Sequence, residues 1–403
     1  MWRSMTLRHS CARWMWLIGL VCGALLAGRA LRAQLPNSGG TLRGTVQAAQ
    51  TNVALSYAVV LMPQLSIERF TDASGQFQLA SLPVGRYDVT VRRLGYAPYR
   101  GEIDITGGTI TTLDVHLVQI PYRLSTQRVT PIERCERPGP PNALTHPAVF
   151  QLVSFLRENA DRYRLLASQY PFGHIRLRAL GALRNATFAV QEVDSAEGRS
   201  QTKSGYAPGR VVQRATDVHT APQGSVRSSR EYNMALPTIL DLADDAFART
   251  HCFSYGGSTL DLSSKTTETW LRLDVRAADK LKDPDVHGAF YLDSATSQLR
   301  WMELELSKPD RLPRQLRGIE SVKVTTSFVE IAIGLSVIES ICAVTRWKEE
   351  RGQARLAGPT ELQRLLAYVF VTPPPDVSRS REFASPNWHA GERLPRSAVW
   401  CVP

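Results

Sequence analysis

The sequence predicts a β-rich chain of two domains: a seven-stranded β-sandwich, then an α+β domain with a curved antiparallel sheet and a covering helix. Three observations predict this. From Thr41 to Leu117, apolar alternations of period two recur with turn signals about every 8–12 residues, and no helical period interrupts them. From Val149 to Tyr163, apolar residues fall at spacings of three and four, as on one amphipathic helix. From Leu271 to Trp347, long period-two runs follow one another, as successive hairpins of an antiparallel sheet do.

Residues 1–33 read as a secretory signal. Arg3, Arg8 and Arg13 form a basic start, Trp14 to Gly28 is an uncharged apolar run, and Leu31-Arg32-Ala33 places a small residue at the cut. The run is shorter than the roughly 20 residues of a membrane span. The rivals are an uncleaved anchor and a lipoprotein site at Cys22. The expectation is an exported chain: periplasmic, outer-membrane-associated or secreted. The segment holds five arginines and no acid, so its removal lowers the net charge from +11 to +6. The remaining basic residues are scattered without interleaved aromatics, which argues against nucleic acid as a partner. Association with an anionic membrane surface stays compatible with this charge, but unspecific.

The sandwich is expected over 34–117. Leu42, Gly44 and Val46 alternate with Arg43, Thr45 and Gln47, and Ala54 to Met62 reads as one continuous buried strand. Thr71 to Pro98 reads as two short strands around a tight turn. Phe77 and Leu79 face inward on the first, and Tyr87, Val89 and Val91 on the second. Ile103 and Ile105 mark a sixth strand, and Leu113, Val115 and Leu117 a seventh. A sequence that runs Gly44-Thr45-Val46, Ala58-Val59-Val60-Leu61, Thr71-Asp72-Ala73-Ser74-Gly75-Gln76-Phe77, Leu82-Pro83-Val84-Gly85-Arg86-Tyr87 and Gly95-Tyr96 resembles the carboxypeptidase-regulatory-like domain. The resemblance implies a transthyretin-like, carbohydrate-binding-like β-sandwich fold. It further implies a non-catalytic module for folding, docking or binding, found at the front of many exported bacterial proteins.

A Pro-rich linker is expected over 118–142, with Pro121, Pro131, Pro138, Pro140 and Pro141 disfavouring regular ladders. The α+β domain follows over 143–370. Thr145 is read as the cap of its first helix and Pro147 as suited to the first turn. Val149, Leu152, Val153, Leu156, Ala160 and Tyr163 form the apolar face, and Arg157, Glu158, Asp161, Arg162 and Arg164 the solvent face. Ile175 to Val190 is strand-like, and the polar stretch 191–233 reads as a loop with one weak hairpin. Thr238 and Asp241 form a capping box ahead of a short helix. Antiparallel strands follow to Trp347, the last two paired around Gly334-Leu335-Ser336, and a short helix is expected from Thr360 to Tyr368. A Pro/Ser/Arg-rich tail over 371–403 is expected to pack only through Cys401. The arrangement loosely resembles the half-barrels of bacterial lipoprotein carriers. Phe247…His251-Cys252-Phe253, Gly288-Ala289-Phe290-Tyr291-Leu292-Asp293 and Leu299-Arg300 are similar to the C-terminal regions of exported proteins that begin with the same sandwich.

Four cysteines remain once the signal is removed: Cys135, Cys252, Cys342 and Cys401. An even number in an exported chain favours two disulfides, with three pairings open. None forms a C-x-x-C, which argues against zinc and dithiol chemistry. His389-Ala390-Gly391-Glu392 matches the H-x-x-E of zinc carboxypeptidases without the large parallel-sheet domain those enzymes need. Asp244 and Asp245 read as a solvated helix face, His251-Cys252 as the neighbourhood of a structural disulfide, and Asp283, Asp285 and Asp293 fit no calcium-loop spacing. No catalytic, metal or cofactor-binding residue is assigned, and no cofactor is expected. Arg86, Arg92, Arg93 and Tyr96 near the sandwich's turns are the candidate ligand surface for a sugar or peptide. The leading expectation is an exported, non-enzymatic envelope protein that uses its sandwich for binding or assembly with a glycan, peptide or envelope protein. The alternative is a lipid or lipoprotein carrier, which predicts an apolar cavity in the second domain. Metallocarboxypeptidase-related activity is the weaker reading. Oligomeric state is left open.

Overall fold

A computed structural model describes residues 39–120, 134–184, 187–220, 226–234, 237–262, 267–348, 357–375 and 377–395. The expected signal over 1–33, much of the expected linker and Cys401 lie outside the described residues.

Seven strands make the N-terminal sandwich: β1 (Gly40–Ala48), β2 (Val59–Met62), β3 (Ile67–Phe70), β4 (Gln76–Leu82), β5 (Gly85–Arg92), β6 (Tyr99–Ile105) and β7 (Ile110–Leu117). One sheet runs β4-β1-β7 and the other β3-β2-β5-β6. Leu42, Val46, Phe77, Leu79, Val89, Val91, Val115 and Leu117 are buried, the inward sets that period-two patterning predicts. Two details differ from expectation. The strands on either side of Pro83-Val84 are not a hairpin, because β4 and β5 belong to different sheets. Of the run Ala54–Met62, only Val59–Met62 is a strand. Thr71 explains this. Its buried hydroxyl accepts from the Ala58 amide and donates to the Leu55 carbonyl, both at 2.9 Å, and so takes up backbone groups that a ladder would use. Asp72 then closes the turn by accepting from the amides of Ser74 (2.9 Å) and Gln76 (2.8 Å). At Gly75, φ is +73° and a Cβ would lie 2.6 Å from the Val46 carbonyl oxygen, so only glycine fits.

The chain divides into two compact units, and the division passes through the sandwich. Among the described residues, 39–44 with 78–87 and 102–113 form one unit; 45–77, 88–101 and those from Asp114 onward form the other.

The α+β part opens with α1 (Pro147–Gln169), followed by β8 (Phe172–Arg184), β9 (Thr187–Arg199) and the separate hairpin β10 (Val212–Thr220) with β11 (Val226–Met234). Then come α2 (Ile239–Leu242), α3 (Asp245–Thr250), β12 (His251–Leu260), β13 (Thr269–Ala277), β14 (Val286–Asp293), β15 (Leu299–Leu306), β16 (Ile319–Ala332), β17 (Leu335–Trp347), β18 (Ala357–Phe370), β19 (Ser380–Glu382) and β20 (Arg393–Pro395). The large sheet is 11-stranded and antiparallel, ordered β12-β13-β14-β15-β16-β17-β18-β8-β9-β20, with β19 added beside β18. Each strand from β12 to β18 pairs with its sequence neighbour, and β18 then meets β8, the first strand of the set.

Helix α1 packs on one face of this sheet. Leu152, Val153, Leu156 and Ala160 join Phe290, Leu292, Leu299 and Met302 in the main core. The expected stripe is therefore the buried one, but Arg162 is also buried, at 2 % exposure, on the side the spacing assigned to solvent. The helix cap differs as well. His146 stands at the cap position without a side-chain capping bond, and Pro147 opens the first turn. The expected helix from Thr360 to Tyr368 is instead part of β18, paired along its length with β8. The tail also does more than expected: β19 and β20 join the sheet, and Trp388 and Leu394 pack in a cluster with Ala179, Phe188, Cys342 and Leu362. Cys135 and Cys252 form a disulfide, and Cys342 is disulfide-bonded too. Among the described residues no helix is long and apolar enough to cross a membrane.

Candidate functional site

A cavity of about 200 Å³ opens where two ladders of the large sheet part. The pairing of β17 with β18 begins at Ser340 and Arg364 and runs toward Arg346 and Ala357. On the other side of that point, Leu335–Ser340 of β17 stays with β16, while Leu365–Phe370 of β18 stays with β8. The space is lined by Phe172, His174 and Arg176 of β8, by Phe328, Ser336 and Ile338 of the β16–β17 hairpin, and by side chains of β18, α1 and α2.

Strand parity places the β8 residues. Phe172, His174 and Arg176 alternate with Gly173 and Ile175, so the two polar residues share a face with buried Phe172, and Ile175 is exposed. Cross-strand pairs continue the face: Arg176 opposite Leu365, His174 opposite Tyr368, Phe172 opposite Phe370. Phe172 meets Phe370 edge-on, with centroids 5.5 Å apart, which fixes the base of the wall.

Arg176 is held in the split between the ladders. Its Nη2 donates to the Ile338 carbonyl at 3.0 Å. Its Nη1 is buried and has no hydrogen-bond partner among the described residues. Ser336, 5 % exposed, lines the same cavity, and its hydroxyl is also buried without a partner. Burial pushes the Arg176 guanidinium down to about 10, still charged at neutral pH. Burial, followed by the charge of Arg176, pushes the His174 imidazole down to about 4 and leaves it neutral there. The arrangement is a largely apolar chamber in which Arg176 and Ser336 each keep an unused hydrogen-bonding atom, with Arg199 also in the lining.

A second polar cluster is closed. His251 and Asp285 are both wholly buried, with Nε2 3.6 Å from the carboxylate. His251 Nδ1 lies 2.9 Å from the Phe247 carbonyl, and Phe247 stacks on the ring at 4.0 Å. Asp285 accepts from the Tyr206 hydroxyl (2.8 Å) and the Gly209 amide (3.0 Å). Burial alone would raise the Asp285 carboxyl, but its bonds from His251, Gly209 and Tyr206 together hold it below the usual carboxylate range. With every partner internal, this cluster ties 206–209, α3 and β14 together and pairs His251 with Asp285, not with the neighbouring Cys252.

The sequence-assigned residues are dispersed. Arg86, in the first unit, is exposed and pairs with Glu102. Arg92, in the second, pairs with Glu158 (3.0 Å) and Asp161 (3.4 Å) of α1. Burial lowers the Arg93 guanidinium, opposed mainly by Glu330. Tyr96 is half-buried, with its amide donating to the Arg93 carbonyl at 3.0 Å. Glu392 accepts from the backbone amide of His389 at 3.2 Å, a local turn and not a metal pair. Asp293 accepts from the amides of Ala295 and Thr296 and pairs with Arg300. Among the described residues no three His, Cys, Asp or Glu side chains converge as metal ligands. In the sequence, Ile175 to Val190 reads as strand-like, with no role given to Arg176 or His174. The aromatic at Phe172, in step with both, was the available signal.

Comparison with known proteins adds little beyond the sandwich. A minor pilin of Streptococcus agalactiae is 17% identical over 23% of this chain and 49% of its own, with a TM-score of 0.20, so the chain spans about half the pilin's length. A carbohydrate-binding protein of Bacteroides uniformis, so described only provisionally, is 8% identical over 64% of this chain and 93% of its own (TM-score 0.19). A DUF1329 family protein of Desulfovibrio piger is 10% identical over 57% and 92% (TM-score 0.27). Scores this low carry no argument about this chain. No curated protein matches it. Over residues 41–118, the span of the seven-stranded sandwich, the chain matches the carboxypeptidase regulatory-like domain, a non-catalytic fold.

Proposed function

We propose that this chain is an exported, non-enzymatic binding protein of the bacterial envelope. In this reading the regulatory-like sandwich serves docking or assembly, and the α+β part holds a small ligand. The observation that carries the reading is the cavity beside the parted β17 and β18 ladders, where Arg176 Nη1 and Ser336 Oγ lie buried without partners. A buried polar group left unpaired costs about 1–3 kcal/mol, more when charged, so an apolar chamber that keeps two of them is suited to a guest that supplies the missing acceptors.

The apolar lining also favours the lipid-carrier reading, and size decides how far. A cavity of roughly 150 Å³ holds one benzene, so about 200 Å³ admits a ring or a short acyl chain. A multiply acylated lipoprotein anchor needs several times that space. Native mass spectrometry of gently purified full-length protein is expected to find a small ligand of low molecular mass, and added chelator is expected to leave the melting temperature unchanged. Hydrolysis of peptides or glycosides that is lost with chelator would reject the reading.

A further inference from the structure

We propose that the guest of this cavity is a small amphipathic acid, its carboxylate received by Arg176 and Ser336 and its apolar body lodged against Phe172, Phe328 and Leu365. The proposal rests on the binding reading above and specifies its chemistry.

The argument begins with the cation. Arg176 comes from β8, and the Ile338 carbonyl holds one arm of its fork at 3.0 Å. Arg176 lines the cavity, and its free arm, Nη1, is buried without a partner among the described residues. A guanidinium presents parallel donors that match the two oxygens of a carboxylate, and such charge-assisted bonds are about twice as strong as neutral ones. Leaving the cation without a counter-charge in a desolvated place is costly, so the site discriminates for an anionic head. Ser336 adds a hydroxyl that can donate to the same head, and it is also without a partner. Two buried donor atoms with unused capacity, Arg176 Nη1 and Ser336 Oγ, belong to residues lining one cavity, and neither atom has an acceptor among the described residues.

Two further features narrow the class. His174, on the same face as Arg176, is neutral, so the cations of the lining are Arg176, held in the split, and Arg199, which is exposed. The rest of the wall is aromatic and aliphatic, and a volume of about 200 Å³ limits the body to about one ring or a chain of six to ten carbons. Rejection of an uncharged analogue follows from the same geometry, because an alcohol of equal length leaves the guanidinium without its counter-charge.

Isothermal titration calorimetry on the full chain, stripped of bound ligand, tests this with four probes: octanoate, 3-phenylpropanoate, octan-1-ol and inorganic phosphate. Octanoate or 3-phenylpropanoate is expected to bind at least tenfold more tightly than octan-1-ol, with inorganic phosphate weaker still. The tighter of the two acids identifies the body as alkyl or aryl. R176M is expected to lose at least tenfold in affinity for the acid and to leave octan-1-ol unchanged. S336A is expected to lose severalfold, and R176K, which keeps the charge without the fork, to fall between wild type and R176M. Circular dichroism verifies that each variant is folded, and S336A and R176K keep the test decisive if R176M is not. Equal binding of octanoate and octan-1-ol, unaffected by R176K and S336A, would overturn the acid proposal and leave the binding function standing. No binding of any probe, with nothing released from native protein, would remove both.

Discussion

A guanidinium without access to water must find its acceptors in the protein, and Arg162 finds three carbonyls. Nη1 donates to Tyr57 at 2.6 Å, Nε to Gly334 at 3.1 Å and Nη2 to Ile333 at 3.5 Å, while the group lies 5.7 Å from the Phe70 ring. Burial pushes it down to about 9, helped by the nearby charge of Arg93. R162M keeps most of the volume and removes every donor, so it is expected to destabilise the chain by about 3 kcal/mol, read from the urea midpoint. A loss below about 1 kcal/mol would show the bonds to be incidental. Gly334 fixes the other side of this contact: φ is +72°, and a Cβ would lie 2.4 Å from Arg162 Nη2. G334A therefore combines a left-handed backbone penalty with displacement of the guanidinium and is expected to cost about 1–3 kcal/mol by the same measurement. His174 gives the pH dependence at this scale. Its folded value of about 4 lies below the ordinary 6.5, so between these values the unfolded chain holds more protons and stability falls as pH is lowered. Because the ring is partly solvated, the loss is expected to be about 1–2 kcal/mol across the window pH 6.5 to 4. H174Q is expected to flatten that slope in chemical denaturation at a series of pH values, and identical slopes would refute the assignment.

Elements show where physical chemistry is legible in a sequence and where it is not. The stripe Val149, Leu152, Val153, Leu156, Ala160 located the buried face of α1 because periodicity alone determines which side chains share a side. Arg162 escaped because a charge is read as solvent-facing unless its partners are visible, and Tyr57 and Gly334 are 105 and 172 residues away. A short helix is expected from Thr360 to Tyr368, but β18 has ladders on both sides, to β17 and β8, and those pairings override local propensity. The cavity was illegible for a related reason: it exists where β17 and β18 stop pairing, and register is a tertiary fact. The capping box Thr238–Asp241 was legible because it is local: the Thr238 amide donates to Asp241 Oδ2 at 2.6 Å. At this scale the disulfide Cys135–Cys252 joins the segment before α1 to β12 across 117 residues. Closing a loop of that length restricts the unfolded chain, which corresponds to about 4–5 kcal/mol in the chain-entropy account. C135S/C252S is expected to lower stability by about 2–5 kcal/mol in guanidinium titration, and a change near zero would indicate that the loop is already restrained in the unfolded ensemble.

At the scale of the molecule, the compact unit that holds the large sheet also contains residues 45–77 and 88–101 of the sandwich. The ties within that unit are polar and specific. Arg92 pairs with Glu158 and Asp161, Arg164 pairs with Glu68 at 2.8 Å, and the Tyr57 hydroxyl donates to the Pro375 carbonyl at 2.8 Å. The half-exposed pairs contribute little individually. Arg162 differs, because without Tyr57 a buried charge keeps its desolvation cost and loses its shortest bond. The stretch 45–77 therefore completes, through Tyr57, the hydrogen bonding of a helix that is itself the lid of the sheet's core. A fragment spanning 134–395 retains Cys135 for the disulfide but removes that segment. It is expected to melt about 6–12 °C below the full chain, the shift that a loss of about 3 kcal/mol gives for a body of this size. The full chain is expected to unfold in one transition by calorimetry and by far-ultraviolet circular dichroism. Two separated transitions, with the fragment melting at the temperature of the upper one, would mean that Arg162 links parts that fold independently, and the R162M penalty would then have to be borne by the fragment alone.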